Sequence, residues 1–338
     1  MSPLLSAEDI IIEFHARKRL FSSTTVRALD GVSLHLDGGE TLALVGESGS
    51  GKTTLARVCL RLLKPTRGTI TFDGHDITKT KDGDLKWFRH RAQGIFQDPY
   101  SSLDPYMTLE QIVEEPLVIH GKGQRNGRSE LVHRALEEVK LVPAGEMAAK
   151  FPHMLSGGQR QRVAIARALI LQPELVVADE PVSMVDASSR AEILYLLREL
   201  QERHGTAFLY ITHDIATAYH FSHRIAVMYL GRIVETGPTR EVIANPLHPY
   251  TQALLQSVPE PDPENRFRRR AVVTGEPPSP AAPPSGCHFH PRCPYAFDRC
   301  PVDDPRLKEI RPGQPVACHL WTGPDPTARL PEKPPTKG

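Results

Sequence analysis

Two segments of the chain carry glycine, lysine, hydroxyl and carboxylate groups at spacings that suit phosphate chemistry. The first, Gly46–Thr53, reads G-E-S-G-S-G-K-T and fits G-x-x-x-x-G-K-[ST] at every fixed position. The backbone N–H groups of such a loop, together with the N-terminus of the following helix, surround a phosphate. We expect Lys52 to contact the β- and γ-phosphates of a nucleotide and the Thr53 hydroxyl to bind Mg²⁺. The structural alternative is a glycine-rich turn with an incidental lysine.

The second segment is an apolar run, Leu175–Ala178, that ends in two acids. Carboxylates at the carboxyl end of a buried parallel strand lie where open α/β sheets bind ligands. We expect Asp179 to hold Mg²⁺ and Glu180, on the other side of the strand, to polarise an attacking water. A solvated strand end is the alternative.

The elements that must position these residues follow from the apolar pattern. Period-two and continuous apolar runs predict strands at 9–14, 33–36, 41–45, 69–72, 93–96, 175–178 and 208–211, and a hairpin at 224–236 that turns at Gly231. Helical spacing predicts helices at 52–63 and 187–203, and a mainly helical block at about 108–171 with a polar loop at 121–127. Strands that alternate with helices predict an α/β fold with a largely parallel sheet, interrupted by the helical block as a subdomain.

A third segment, Leu155–Gln159, reads L-S-G-G-Q and precedes a long helical run. Ser156 is suited to cap that helix, and the two glycines open its N-terminus to an anion. This segment can contact the phosphate held at Gly46–Thr53 only if another chain supplies one of the two.

With the phosphate loop and the strand that ends in Asp-Glu, L-S-G-G-Q resembles the nucleotide-binding subunit of an ATP-binding cassette (ABC) transporter, over about residues 8–320. The resemblance implies a P-loop NTPase fold with a helical subdomain, ATPase activity, and a head-to-tail dimer with each ATP between one chain's phosphate loop and the other chain's L-S-G-G-Q. The ATP-contacting residues implied are Gly46, Glu47, Ser48, Gly49, Ser50, Gly51, Lys52, Thr53, Thr54, Asp179, Phe14, Ser156, Gly157, Gly158, Gln159 and Asp186.

The same resemblance assigns further roles. Gln97, in G-I-F-Q-D-P, matches the glutamine that senses Mg²⁺ and water and leads to the transmembrane partner, and His213, in I-T-H-D, matches the histidine that contacts the γ-phosphate. Glu180, His213 and Gln97 are therefore the expected catalytic residues, and Thr53, Gln97 and Asp179 the expected Mg²⁺ ligands. The alternative for Gln97 is a surface glutamine at a strand end, and the alternative for His213 is a structural histidine after a strand.

Two positions depart from the family pattern or leave a choice open. Asp186 lies in S-M-V-D, where the family usually has S-A-L-D, which changes the expected cross-dimer contacts at Ser183–Asp186. Phe14 is the best match for the aromatic residue that stacks on adenine. Phe21 competes with it, and both also suit a core position.

Two motifs resemble those of dipeptide and oligopeptide importer ATPases: Asn245–Thr251 (N-P-L-H-P-Y-T) and Gln97–Pro105. This resemblance implies that the chain energises peptide import. It also implies two transmembrane permease subunits, a paralogous ATPase as the partner in a heterodimer, indirect dependence on an extracytoplasmic solute-binding protein, and a peripheral position on the cytoplasmic face of the membrane. The alternatives are an importer of nickel or another small solute, and a soluble ABC ATPase that does not transport.

Proline and cysteine usage divides the chain near Pro259. Of 31 prolines, 12 lie in residues 1–258 and 19 in residues 259–338. We therefore expect an ATPase domain at 1–258, a proline-rich module at 259–320 and a disordered tail at 321–338. We also expect the ATP site, built from residues before Pro259, to bind nucleotide independently of the module.

The module contains four cysteines in the spacing C-x5-C-x6-C-x17-C: Cys287, Cys293, Cys300 and Cys318. In a chain expected to fold in the cytosol, metal binding is favoured over disulfides, and four thiolates suit zinc or an iron–sulfur cluster. Zinc sites usually contain C-x2–4-C pairs, which are absent, and G-C-H-F-H-P-R-C resembles the peptide-importer module, which implies a [4Fe–4S] cluster. Zn²⁺ and unliganded thiols are the alternatives, with His288, His290 and His319 as alternative ligands. Cys59 fits a small buried residue in the helix at 52–63.

The overall composition excludes several classes of protein. The chain has 338 residues, 40% of them hydrophobic, and a formal net charge of +1. This apolar content excludes global disorder, and the balanced charge argues against a nucleic-acid partner. No apolar stretch approaches the length of about 18 residues that a transmembrane helix needs, and the N-terminal residues do not resemble a secretory signal.

Overall fold

The computed structural model describes residues 2–19, 22–98, 102–257 and 275–322. Its strands are β1 (Leu5–Arg19), β2 (Ser22–Leu36), β3 (Thr41–Val45), β4 (Arg67–Phe72), β5 (His75–Asp76), β6 (Ala92–Ile95), β7 (Leu175–Asp179), β8 (Ala207–Thr212), β9 (Arg224–Tyr229), β10 (Arg232–Pro238), β11 (Lys308–Arg311) and β12 (Gln314–Val316). Its α-helices are α1 (Lys52–Cys59), α2 (Lys86–Arg91), α3 (Leu109–His120), α4 (Arg125–Glu138), α5 (Ala144–Ala148), α6 (Gly157–Leu169), α7 (Ala187–His204), α8 (Ile215–Phe221), α9 (Thr239–Ala244) and α10 (Pro249–Ser257). Short 3-10 helices occur at Asp82–Leu85, Pro152–Met154, His290–Arg292 and His319–Trp321.

The larger sheet has the strand order β11-β12-β10-β9-β3-β8-β7-β6. Its pairs from β9 through β3, β8 and β7 to β6 are all parallel, whereas β10, β12 and β11 continue the sheet in antiparallel pairs. The predicted α/β class is confirmed, and so is the hairpin that turns at Gly231, between β9 and β10.

The central parallel strands are buried on both faces. Along β8, Phe208 and Tyr210 belong to one apolar cluster, and Leu209 and Ile211 belong to the other. The same alternation holds in β3 and β7. A strand covered on both sides reads as a continuous apolar run in the sequence, which is why these strands were predictable.

The smaller sheet, in the order β2-β1-β4-β5, packs with α1 on one face of the larger sheet. The hairpin of β1 and β2 is much longer than the predicted strands at 9–14 and 33–36. Helix α1 is shorter than predicted and ends at Cys59 rather than Leu63. Arg61 ends it, since its backbone is left-handed (φ +53°) and its guanidinium donates to the carbonyls of Ile77 and Thr80.

Helices α3–α6 form the predicted helical block between β6 and β7. Thr108 starts α3 with a capping box, because its hydroxyl accepts from the Gln111 N–H and the Gln111 amide accepts from the Thr108 N–H. The predicted polar loop is shorter than 121–127, since α4 already begins at Arg125. The buried side chains of the block join the same apolar cluster as Val176 and Phe208, so the block and that face of the sheet share one core. Within the described ranges, every helix is too short or too polar to span a bilayer.

The C-terminal module joins the larger sheet at β10. Val316 of β12 pairs with Glu235, and the Ala317 N–H donates to the Val234 carbonyl over 2.8 Å. Trp321 is buried and its indole N–H donates to the Leu247 carbonyl, so the packed chain includes the first residue of the predicted tail. The rest of that tail, at 323–338, and the predicted boundary near Pro259, within 258–274, lie outside the described residues.

Glu235 is the main polar connection between the module and the sheet. Its carboxylate is fully buried and accepts hydrogen bonds from the Leu247 N–H (2.8 Å), the His248 N–H (2.9 Å) and the Gln314 side-chain amide (2.9 Å). One side chain of β10 thus fixes both the segment before α10 and the strand β12.

Replacement of Glu235 by alanine should lower the free energy of unfolding by about 3 kcal/mol, because three buried donors lose their acceptor at once. Chemical denaturation of the purified chain measures this change. Glu241→Ala, at an exposed position in α9, is the matched control and should stay within about 0.5 kcal/mol of the unmodified protein. Equal stability of the two variants would contradict the role given to Glu235.

Candidate nucleotide site

The phosphate loop, Gly46–Gly51, connects β3 to α1 and has no room for side chains at two of its glycines. A Cβ atom at Gly46 would lie 2.1 Å from the carbonyl oxygen of Met228 in β9. At Gly51 the backbone is left-handed (φ +103°), and a Cβ atom would lie 2.6 Å from the Ala28 carbonyl. Packing against these neighbouring strands, rather than the turn alone, therefore requires glycine at both positions.

Lys52 is folded back into this loop. Its ammonium donates to the carbonyls of Gly46 (2.8 Å) and Glu47 (2.9 Å), and the residue is only 6% exposed. Burial lowers the pKa of Lys52, and the carboxylates of Glu180, Asp179 and Glu47 oppose that shift. The lysine is thus a buried cation at the centre of the loop, and three acids lie within electrostatic range of it.

Thr53 and Asp179 meet although 125 residues separate them in the chain. The Thr53 hydroxyl donates to the Asp179 carboxylate over 3.3 Å. Burial raises the pKa of Asp179, and the hydrogen bond from Thr53 opposes that shift. A hydroxyl and a carboxylate are oxygen donors of the type that Mg²⁺ prefers, and a cation here would compensate the buried charge. The two side chains therefore fit the predicted magnesium site.

Glu180 contacts the other two predicted catalytic side chains, Gln97 and His213. The Gln97 amide donates to one of its carboxylate oxygens over 3.1 Å, and Nδ1 of His213 lies 3.1 Å from the other. Glu180 itself follows β7 with a left-handed backbone (φ +47°), and its N–H donates to the Ile211 carbonyl of β8. His213 is the most exposed of the three, with 63% of its side chain accessible. All three side chains thus converge at the carboxyl edge of the parallel strands.

The L-S-G-G-Q segment forms a separate anion-binding candidate at the start of α6. The Ser156 hydroxyl accepts from the Gln159 N–H and the Gln159 amide oxygen accepts from the Ser156 N–H, as a capping box. Gly158 is buried beside Ser189 of α7, where a Cβ atom would come within 3.3 Å. Ser156 itself is exposed, so another molecule can reach the start of this helix.

The remaining predicted ATP contacts lie near these groups or on the surface. Asp186 caps α7, with its carboxylate accepting from the Ser189 N–H. In the preceding S-M-V-D sequence, Met184 is exposed and Val185 is buried. Phe14, on β1, is 45% exposed, which does not fit its alternative as a core residue. Its competitor Phe21 lies outside the described residues.

The four cysteines of the module are reduced and close to one another. The Cys287 N–H donates to the Cys300 carbonyl over 2.8 Å, and none of the four thiols is in a disulfide. Burial raises the pKa of Cys287 and of Cys318, and that of Cys293 to about 12, and the charge of Cys300 raises all three further. Among the described residues, however, no group of three or more His, Cys, Asp or Glu side chains is arranged to hold a metal ion.

Each histidine considered as an alternative ligand has one ring nitrogen at a backbone carbonyl oxygen. Ring nitrogens of His288, His290 and His319 contact the carbonyl oxygens of Leu230, Cys287 and Asp303 respectively. Cys59 is fully buried in α1, and burial raises its pKa to about 12, which agrees with its structural interpretation.

Two residues that the sequence did not indicate contact the phosphate loop. The hydroxyl of Tyr250, in α10, accepts from the Glu47 N–H over 2.8 Å. Arg292, in the module, donates to both oxygens of the Glu47 carboxylate, over 2.9 and 3.2 Å. The module therefore contacts the phosphate loop through Arg292, although the sequence predicted a site built from residues before Pro259. Tyr250 lies in the Asn245–Thr251 motif, which was a signal for it, whereas nothing in the sequence distinguished Arg292 from the other module arginines.

A family model described as ABC transporter matches residues 29–183, and one described as the C-terminal region of oligopeptide/dipeptide transporters matches residues 234–300. A putative peptide import ATP-binding protein of Brucella ovis is 47% identical over 317 residues, which cover 94% of this chain and 98% of that protein. The chain belongs to the ABC transporter family.

Other relatives support the same assignment. The oligopeptide transport ATP-binding protein AppF of Bacillus subtilis is 47% identical over 323 residues, which cover 94% of this chain and 98% of AppF. A solved dimeric structure of the ATP-binding cassette MJ0796, in a post-hydrolysis state with ADP and Pi, has a TM-score of 0.62 and 30% identity. The match covers 70% of this chain and 99% of that one, so the fold of the ABC ATPase is shown.

Replacement of Gly46 by alanine should weaken ATP binding at least tenfold and lower the free energy of unfolding by about 2 kcal/mol, because the new methyl group collides with the Met228 carbonyl. Titration calorimetry and thermal unfolding measure the two effects. Gly38→Ala, in open space before β3, is the matched control and should change neither. Normal nucleotide binding by the Gly46 variant would show that the loop tolerates displacement.

Proposed function

We propose that this chain is the ATP-hydrolysing subunit of an ABC importer for peptides of the dipeptide or oligopeptide class. The main support for ATPase activity is that Gln97 and His213 both contact the Glu180 carboxylate, next to the Thr53–Asp179 pair. Support for the peptide class comes from the matching C-terminal region at 234–300 and from relatives whose names refer to peptide import.

In the proposed reaction, the loop Gly46–Gly51 surrounds the phosphates with its N–H groups, and Lys52 exchanges its loop carbonyls for the β- and γ-phosphates. Thr53 and Asp179, with Gln97, would hold Mg²⁺, which neutralises charge on the phosphate oxygens. Glu180 accepts a proton from the water that attacks the γ-phosphorus, and the bond to the β–γ bridging oxygen breaks. His213 holds the γ-phosphate, and the hydrogen bond from Gln97 orients Glu180 towards the water.

The exposure of Ser156 at the start of α6 supports a shared site, because another molecule can reach this helix N-terminus. We assign Ser156–Gln159 of one subunit to the γ-phosphate held by the phosphate loop of a partner ATPase, with Asp186 at the same interface. A paralogous subunit is the proposed partner. Phe14 is assigned to the adenine, since an exposed ring on β1 is available for stacking.

The proposed transport partners are two transmembrane permease subunits, with an extracytoplasmic solute-binding protein acting through them. Gln97 and the helical block α3–α6 would transmit closure to the permeases. Helix α3 exposes Val118 and Ile119, each more than half accessible, and apolar side chains on a surface are suited to cover by another protein. We assign the chain to a peripheral position on the cytoplasmic face of the membrane. A purified intact complex with its bound solute identified would separate peptides from nickel or another solute.

For the domain organisation, we assign 1–258 to the ATPase domain, with its helical subdomain at about 108–171, and 259–320 to the module. We further propose that Cys287, Cys293, Cys300 and Cys318 hold a [4Fe–4S] cluster. Four reduced thiols within electrostatic range support this assignment.

Glu180→Gln should preserve ATP binding and reduce turnover at least about a hundredfold, the range expected for the loss of general-base catalysis. Phosphate release from the complex assembled with its partner subunits measures turnover, and retention of labelled ATP measures binding. Glu202→Gln, on the exposed face of α7, is the matched control. Near-normal turnover by the Glu180 variant in that complex would refute the role given to its carboxylate.

Anaerobically purified protein should contain about four iron atoms per chain and show broad visible absorption. Replacement of any one of the four module cysteines by serine should reduce the iron content and make the module more sensitive to protease, whereas Cys59→Ser should change neither. Stoichiometric zinc would replace the cluster assignment with a zinc site. Freely alkylated thiols in a folded, metal-free protein would rule out both.

A further inference from the structure

Arg292 is the point at which the C-terminal module enters the nucleotide site. It precedes Cys293 in the chain, and only 7% of its side chain is exposed. Its guanidinium holds both carboxylate oxygens of Glu47, and the same NH1 group lies 3.3 Å from the Tyr229 hydroxyl. A bidentate contact of this kind fixes the orientation of the carboxylate and compensates its charge.

A cluster of aromatic rings packs next to this contact. Tyr229 at the end of β9, Tyr250 of α10 and Phe289 of the module contact one another with ring-centroid distances of 4.7, 5.3 and 5.4 Å. The Tyr250 hydroxyl accepts from the Glu47 N–H. The backbone of Glu47 is thus held by α10 and its carboxylate by the module, and both contacts rest on one packed cluster.

The negative charge of Glu47 links its contact with Arg292 to nucleotide binding. Glu47 is the second residue of the phosphate loop, and its carboxylate is close enough to Lys52 to interact with the ammonium. An unpaired carboxylate at this place would repel a polyphosphate and attract the lysine that has to bind it. The guanidinium of Arg292 is the cation that pairs with Glu47 in the described part of the chain.

We propose that Arg292 is a positioning residue of the ATP site. It acts through Glu47, by neutralising that carboxylate and fixing its orientation. Through this contact, the C-terminal module becomes part of the nucleotide site. This inference rests on the proposed function in one respect, namely that the loop binds ATP. It requires no particular metal in the module.

The test is a double-mutant cycle in the full-length chain, with the dissociation constant for ATP measured by titration. Arg292→Gln should weaken ATP binding about tenfold, within the range of coupling between contacting residues. In a Glu47→Gln background the same change should have less than about a threefold effect, because no carboxylate is left to neutralise. Arg292→Lys keeps the charge but not the bidentate contact, so its affinity for ATP should lie between those of Arg292→Gln and the unmodified protein.

Two further readouts separate this role from a merely structural one. The loss caused by Arg292→Gln should shrink as ionic strength rises, since it arises from charge repulsion. Metal content and protease resistance of the module should match those of Arg299→Gln, the control variant, whose arginine pairs with Asp303 on the module surface. The control should bind ATP normally.

Three results would overturn the inference: unchanged ATP affinity in Arg292→Gln, equal losses in both Glu47 backgrounds, or a loss that appears only together with protease sensitivity of the module. The proposed function fails separately, if the unmodified chain does not bind ATP.

Discussion

The parallel pairing of β3, β8 and β7 is the constraint on which the nucleotide site depends. Val45 lies beside Thr212, and Asp179 lies beside Ile211, so the three strands end at the same edge of the sheet. The phosphate loop follows the end of β3, Glu180 follows the end of β7, and His213 follows the end of β8. Chain segments that are far apart in the sequence therefore meet within hydrogen-bond distance, and no long loop is needed to bring them together.

This edge also concentrates charge that the protein alone does not fully compensate. Lys52 and Asp179 are buried, and burial disfavours the charged form of each. In the structure, the lysine ammonium donates to loop carbonyls and the aspartate carboxylate accepts from a threonine hydroxyl. These are exchangeable partners. In the proposed function, a magnesium nucleotide would supply better ones, so part of its binding free energy would come from charges that the fold has already placed and desolvated.

The sequence predicted the central strands and the site motifs because both depend on local patterns. Continuous apolar runs such as Thr41–Val45 and Leu175–Ala178 indicate strands buried on two faces, and the motifs at their ends have fixed spacing. The resemblance implied roles for Gln97 and His213, but their contacts with Glu180 were not predicted. The early end of α1 was missed because it depends on bonds from Arg61 to a distant turn. Arg292 was missed for the same reason, since its partner lies 245 residues away.

The antiparallel extension of the larger sheet has a consequence for how molecules of this protein behave towards one another. Without the module, β10 would be an edge strand with free backbone groups, ready to pair with another chain. β12 covers part of that edge, and β11 then becomes the outermost strand. β11 is only four residues long and exposes Lys308, Glu309 and Arg311. A short, charged border of this kind resists edge-to-edge aggregation, so the same segment that reaches the phosphate loop also protects the solubility of the sheet.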